Sequence, residues 1–153
     1  MRTNTELYKQ DFHTWTQETA ALIAAGKWHE IDQALLADEV SGLGREDTRE
    51  MTQRVQRILQ ELLLWWALPG ERRGNWRVTI SQQRDSLAAI LTDSPSLTIP
   101  LGEVMAQEYR WARSKAQDQA PGTCFPETCP FTVEQILHDD FFPEGATLEP
   151  PAA

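Results

Sequence analysis

An all-α fold, an up-and-down bundle of about five helices with a short C-terminal helix docked by an irregular Pro-rich segment, is predicted by three features of the sequence. Large side chains recur at steps of three and four, no stretch alternates with period two, and the breaks between segments carry helix-ending chemistry. Such steps keep every large residue on one side of a helix of about 3.6 residues per turn, so each segment offers an apolar stripe to a shared core.

The first helix carries Tyr8, Phe12, Trp15, Thr19 and Leu22 and is closed by Gly26, which can adopt the left-handed conformation. A second is expected from roughly His29 to Ser41, closed by Gly42 with Gly44. The third, about Arg45 to Leu68, aligns Met51, Val55, Ile58, Leu62 and Trp65 and stops at Pro69-Gly70. Asn75 is the expected N-cap of the fourth, Trp76 to Thr92, with Ile80, Gln83, Leu87 and Ile90 on its stripe. Pro100 suits a first-turn position, where a missing N–H costs little, so a fifth helix is expected from Pro100 to Gln117. Short connections between these helices favour antiparallel neighbours.

Residues 121–131, with Pro121, Gly122, Pro126 and Pro130, read as irregular chain. Thr132 and Gln135 form a capping-box pair that should start a short last helix. Phe125, Phe131, Ile136, Leu137, Phe141 and Phe142 give this tail the apolar area to dock. The 153 residues fit one domain, expected over 1–144, followed by a frayed tail over 145–153.

Composition narrows the function classes. Hydrophobic residues at 41% and charged residues at 24% exclude disordered and collagenous chains. The longest apolar run, Leu62 to Leu68, falls far short of the ~20 residues of a membrane span. The first 25 residues are too polar for a secretory h-region, and Cys124 and Cys129 are expected as free thiols in a reducing cytoplasm. The net charge of −9 is uneven: residues 1–44 hold 3 basic and 7 acidic side chains, residues 45–84 hold 8 and 5, and residues 85–153 hold 3 and 11. An acidic chain repels phosphate backbones, which disfavours nucleic-acid binding through the whole surface.

Four ordered blocks resemble the bacterial and cyanobacterial family defined as domain of unknown function 29. They are Tyr8-Lys-Gln-Asp-Phe-His-Thr-Trp15, Asp38-Glu-Val-Ser-Gly-Leu-Gly44, Trp76-Arg-Val-Thr-Ile-Ser-Gln-Gln-Arg84, and Phe125-Pro-Glu-Thr-Cys-Pro-Phe-Thr132 continued by Asp140-Phe-Phe-Pro-Glu144. The likeness spans about residues 6–144. It implies an all-helical domain and brings no activity, cofactor or site with it. The chain departs from the family where His-Leu-Leu-Lys-Trp is usual: it has Glu61-Leu62-Leu63-Leu64-Trp65, followed by Trp66 at a commonly polar position.

Catalytic and metal constellations are sparse. None of His13, His29 or His138 follows a Glu by three residues, as a di-iron bundle site requires, and no nucleophile-elbow or phosphate-loop motif is present. Cys124, Cys129 and His138 have spacing compatible with part of a zinc site, but a fourth ligand is not evident. The simpler reading packs Cys129 as a small apolar residue, and no metal or cofactor is expected. Glu39 and Glu108 fall on apolar stripes, where they either pair with arginines such as Arg54, Arg57, Arg77 and Arg84 or line a polar pocket.

Trp65 and Trp66 make the end of the third helix apolar on all sides, so it is either central in its own bundle or covered by another subunit. In the second case Arg72, Arg73, Trp76, Arg77 and Arg84 would complete an interaction surface, since Trp and Arg are favoured at interfaces. The leading expectation is therefore a cytoplasmic protein–protein interaction or self-association module, with an unidentified partner protein or a homo-oligomer, no membrane, and binding rather than catalysis. One alternative is a metal- or nucleotide-dependent hydrolase using Glu39, Glu108 or Asp47 with Glu50. The other is RNA or DNA binding through the Arg-rich segment 72–84.

Overall fold

The computed structural model describes residues 2–72 and 74–151. Among them are six α-helices and no strand: α1 (Asn4–Gln10), α2 (Phe12–Ala24), α3 (Gln33–Ala67), α4 (Gly74–Asp93), α5 (Leu101–Gln119) and α6 (Val133–Leu137). The all-helical class is the one the sequence predicts, but the partition differs. Backbone contacts group the chain into two compact units, Met1–Glu46 and Asp47–Ala153, with α3 running through both.

In the first unit the expected single helix is divided at Asp11. Its backbone is extended (φ −154°, ψ 90°) and its carboxylate accepts from the Thr14 N–H at 2.9 Å, so Asp11 ends α1 and caps α2. The Thr14 hydroxyl, which donates to the same carboxylate at 2.6 Å, and the Thr14 N–H together hold the Asp11 carboxyl below its ordinary value. A Thr3–Glu6 capping box starts α1, and Gly26 (φ 70°) closes α2 as expected. Asp32 then caps α3, its carboxylate accepting from the Leu35 N–H (3.1 Å) and the Thr5 hydroxyl (2.8 Å). Asn4 joins these elements: its carbonyl accepts from Trp15 Nε1 (3.0 Å) and the Asp32 N–H (3.2 Å), and its amide donates to Thr19 Oγ1 (3.0 Å).

The expected second and third helices are one. Gly42 and Gly44 do not close a helix, because neither adopts positive φ, and helix-compatible residues follow without a proline. A glycine inside a helix costs about 1 kcal/mol relative to alanine, which a long helix with a packed end absorbs. From Met51 to Trp65 α3 buries Met51, Val55, Ile58, Leu62 and their neighbours.

The second unit packs that part of α3 with α4, α5 and α6. Ile80 and Leu87 of α4, Leu101, Met105 and Tyr109 of α5, and Ile136 of α6 share its core with Phe125 and Phe131. Asn75 lies inside α4 rather than capping it, and its carbonyl accepts from the Thr79 hydroxyl at 2.9 Å. Pro100 precedes α5, and the Thr132–Gln135 capping box starts α6, as the sequence predicts.

The irregular segment after α5 packs on the core, so its carbonyls need donors that secondary structure does not supply. Side chains supply them. Tyr109 donates to the Pro126 carbonyl (2.6 Å), Arg113 to that of Phe125 (3.2 Å) and Gln117 to that of Thr123 (2.8 Å). Arg84, only 1% exposed, donates to the carbonyls of Gln135, Ile136, Asp139 and Phe141 at 2.8–3.3 Å. Where the sequence reads as a frayed tail, the Gly145 carbonyl accepts from Trp66 Nε1 at 3.1 Å and Leu148 packs against the core.

Continuity of α3 gives a signed test. An added Cβ at Gly44 meets nothing within 4 Å, and at Gly42 only the Arg45 guanidinium at 3.6 Å. Gly42→Ala and Gly44→Ala should therefore each raise unfolding stability by about 0.5–1 kcal/mol in urea titrations. A loss of similar size would indicate a glycine-dependent turn between two helices.

Candidate functional site

Two features are candidates for a functional site: the tryptophan–arginine group of the second unit and an apolar cleft in the first. The first was visible in sequence, and the structure brings most of it together. Trp65 is buried against Trp76 (ring centroids 5.8 Å apart) and Phe142 (4.7 Å). The Arg72 guanidinium lies 4.8 Å from the Trp65 ring centroid, and its Nε donates to the Trp65 carbonyl at 2.8 Å, placing a cation on the last turn of α3. Arg77 is exposed but lies 4.3 Å from the Phe142 ring, and half-buried Trp66 rests near Phe125 at 6.1 Å. Arg84 is the carbonyl clamp described above, and burial pushes its pKa below the ordinary arginine value. Arg73 lies outside the described residues. The group is thus engaged largely by this chain's own C-terminal segment.

Glu39 and Glu108 are each half-buried, and neither takes the arginine partner that the sequence suggests. Glu39 accepts from the Tyr8 hydroxyl at 2.5 Å, which raises the pKa of that phenol, and Glu108 accepts from the Gln56 amide. At half-exposed positions water shares the solvation of a carboxylate, so a neutral donor suffices. Asp47 accepts from Ser94 Oγ at 3.3 Å, and Glu50 pairs with Arg54 at 3.2 Å.

Among the described residues the buried carboxylate is Glu61, which lies off the stripe positions singled out in the sequence. Its Oε1 accepts from Arg57 Nε at 2.9 Å, while Oε2 is buried without a hydrogen-bond partner. The signal was available: Glu61 lies four residues before Trp65 and three after Ile58, on a helix end that is apolar all round.

No group of three or more His, Cys, Asp or Glu among the described residues could hold a metal ion. Cys124 is exposed and Cys129 half-buried, its thiol 3.6 Å from the Phe131 carbonyl and its pKa raised by burial. No helix among the described residues is long and apolar enough to cross a membrane.

The first unit leaves apolar surface open. Phe12, Trp15, Ala20 and Ile23 of α2 face Leu36, Val40 and Leu43 of α3 across a cleft of about 360 Å³. Phe12 is 52%, Val40 60% and Leu43 71% exposed. An aromatic group stiffens one end: Tyr8 meets Phe12 and Trp15 edge-on at 5.6 and 5.1 Å, and Phe12 stacks on Trp15 at 5.6 Å. Glu39, held by Tyr8, lines the same cleft. Periodicity had assigned Phe12 to the core; the break at Asp11 instead leaves it at the cleft edge.

Residues 7–142 match the family described as "Domain of unknown function DUF29". No curated protein and no solved structure matches the chain.

Burial pushes the Glu61 carboxyl above its ordinary value of 4.5, opposed by its hydrogen bond and charge interaction with Arg57. A carboxyl raised on folding holds its proton more tightly in the folded chain. Its stabilising contribution is complete below the unfolded value and is lost as pH rises through the folded one. Glu61→Gln keeps an acceptor for Arg57 without the charge. Urea midpoints should show this variant more stable than wild type at about pH 7, with the difference vanishing by about pH 4. Lower stability of the variant at about pH 7, with the difference shrinking toward pH 4, would mean that the ion pair outweighs the cost of burial.

Proposed function

The chain belongs to the DUF29 family, a domain of unknown function, and from that premise we propose that it is a protein–protein interaction module whose docking surface is the apolar cleft of the first unit. The observation that carries this reading is the cluster of exposed Phe12, Val40 and Leu43 around an open, largely apolar volume of about 360 Å³. Large apolar side chains left uncovered together mark a binding surface more often than isolated ones do.

The occupant we assign is an amphipathic, basic helix of a partner protein. A cleft between two helices accepts a third helix through apolar side chains spaced at three and four residues. Charge favours a basic partner: Glu39 lines the cleft, and residues 1–44 carry 7 acidic against 3 basic side chains. A second copy of this chain, with net charge −9, would meet the cleft with like charge. Binding of this kind needs no cofactor and no catalytic group.

The test uses the full-length ¹⁵N-labelled protein with a helical Leu/Lys peptide as probe and a Leu/Glu peptide of the same pattern as control. The Leu/Lys peptide should shift amides within 12–23 and 36–43, bind more weakly as salt rises, and lose at least about tenfold in affinity with Leu43→Glu. Equal binding of the Leu/Glu peptide, or an unchanged affinity for Leu43→Glu, would contradict the assignment. Sedimentation should give a monomer across concentrations. A dimer dissociated by Leu43→Glu would give the cleft to a second copy and overturn the basic-partner reading.

A further inference from the structure

Among the described residues that line the cleft of the first unit, Glu39 alone is ionisable, so it is the one charge that a docked helix can meet inside the wall. Tyr8 is not part of that wall, yet its hydroxyl donates to Glu39 Oε1 at 2.5 Å. We infer that Tyr8 is the positioning residue of the cleft: by occupying one oxygen of Glu39 it makes the site select a lysine ammonium over an arginine guanidinium. The inference rests on the reading of the cleft as the seat of a basic helix.

Tyr8 and Glu39 are 31 residues apart and meet because α1 is anchored to the start of α3. The Thr5 hydroxyl donates to the Asp32 carboxylate at 2.8 Å, and the Asp32 N–H donates to the Asn4 carbonyl at 3.2 Å. Tyr8 lies about one helical turn beyond Thr5, on the same side of α1, and so faces α3 further along. Phe12 and Trp15 hold its ring edge-on, with centroids 5.6 and 5.1 Å away. The hydrogen bond to Glu39 raises the pKa of the phenol, which keeps its proton and remains a donor.

Glu39 itself is half-buried, and among the described residues its Oε2 is neither hydrogen-bonded nor sealed from solvent. The Tyr8 hydroxyl approaches from outside the cleft wall, which leaves Oε2 for an occupant of the cleft. A guanidinium binds a carboxylate best as a fork, with two parallel N–H bonds, one to each oxygen. With Oε1 already accepting from the phenol, the second arm of the fork must share that oxygen or displace Tyr8. An ammonium is a compact donor that needs one oxygen. The hydroxyl of Tyr8 therefore weakens the grip on arginine and leaves that on lysine intact.

The test titrates the full-length ¹⁵N-labelled protein with helical Leu/Lys and Leu/Arg peptides of the same pattern. Wild type should bind Leu/Lys more tightly, and Tyr8→Phe should move the ratio of the two affinities toward Leu/Arg by about threefold or more. This variant removes only the hydroxyl and keeps the ring against Phe12 and Trp15. Contacts that either peptide makes elsewhere on the cleft are common to both proteins, so a change in ratio reports on the carboxylate and not on general loosening. Glu39→Gln should by itself remove the preference, which provides a second reading if Tyr8→Phe folds poorly, and in that background Tyr8→Phe should leave the ratio unchanged. Equal or tighter binding of Leu/Arg by wild type, a ratio unmoved by Tyr8→Phe, or a shift that persists with Glu39→Gln would overturn the inference while leaving the docking site in place. If neither peptide shifts amides within 12–23 and 36–43, the docking site itself is lost and the inference with it.

Discussion

The second unit depends on satisfying the carbonyls of a chain segment that packs on a core without forming a regular element. Burying a guanidinium is costly, and Arg84 is 1% exposed. What offsets that cost is its set of acceptors: four carbonyls, from Gln135, Ile136, Asp139 and Phe141, converge on one side chain, and the Phe142 ring lies 5.3 Å away. Each is a charge-assisted hydrogen bond in surroundings of low dielectric, where such bonds are stronger than in water. Tyr109, Arg113 and Gln117 do the same for residues 123–126. Phe142 can then lie against Trp65, and Trp66 can donate to the Gly145 carbonyl, so the apolar end of α3 is covered from within the chain.

The two units differ in what they leave open. In the second, the tryptophans and arginines that look like an interface in sequence are engaged largely by the C-terminal segment. In the first, hydrogen bonds through Asn4 and caps at Asp11 and Asp32 hold the helices in place, while Phe12, Val40 and Leu43 remain exposed. Polar groups there fix the frame, and apolar groups are left for something else to cover. That division is the basis of the interaction reading.

Much of the fold was legible because helical periodicity and terminal chemistry are local. The stripe from Met51 to Trp65, the left-handed Gly26 and the Thr132–Gln135 capping box are all found where the residues place them. Gly42 and Gly44 misled because glycine ends a helix only where the backbone takes positive φ, and sequence shows the residue but not the angle. The division at Asp11 was masked because the three-and-four spacing runs on through it. Arg84 was readable in principle, being four residues after Ile80 and three before Leu87, a charge on a buried stripe. Its four acceptors lie 51, 52, 55 and 57 residues later, and no local pattern announces them. The cleft was illegible for a related reason: periodicity shows that Val40 and Leu43 share a face with Leu36, but not whether anything covers it.

The central claim is that the C-terminal segment seals the apolar end of α3 as part of the cooperative core. Native-state hydrogen exchange on the intact protein tests it most directly, through the amides of Ile136 and Phe141, which donate to the carbonyls of Thr132 and His138. The account requires these amides to exchange as slowly as those of Ile58 and Leu62, through global unfolding, and to lose that protection in Arg84→Lys. Fast exchange at Ile136 and Phe141 while α3 stays protected would contradict it, leaving Trp65 and Trp66 open to a second molecule.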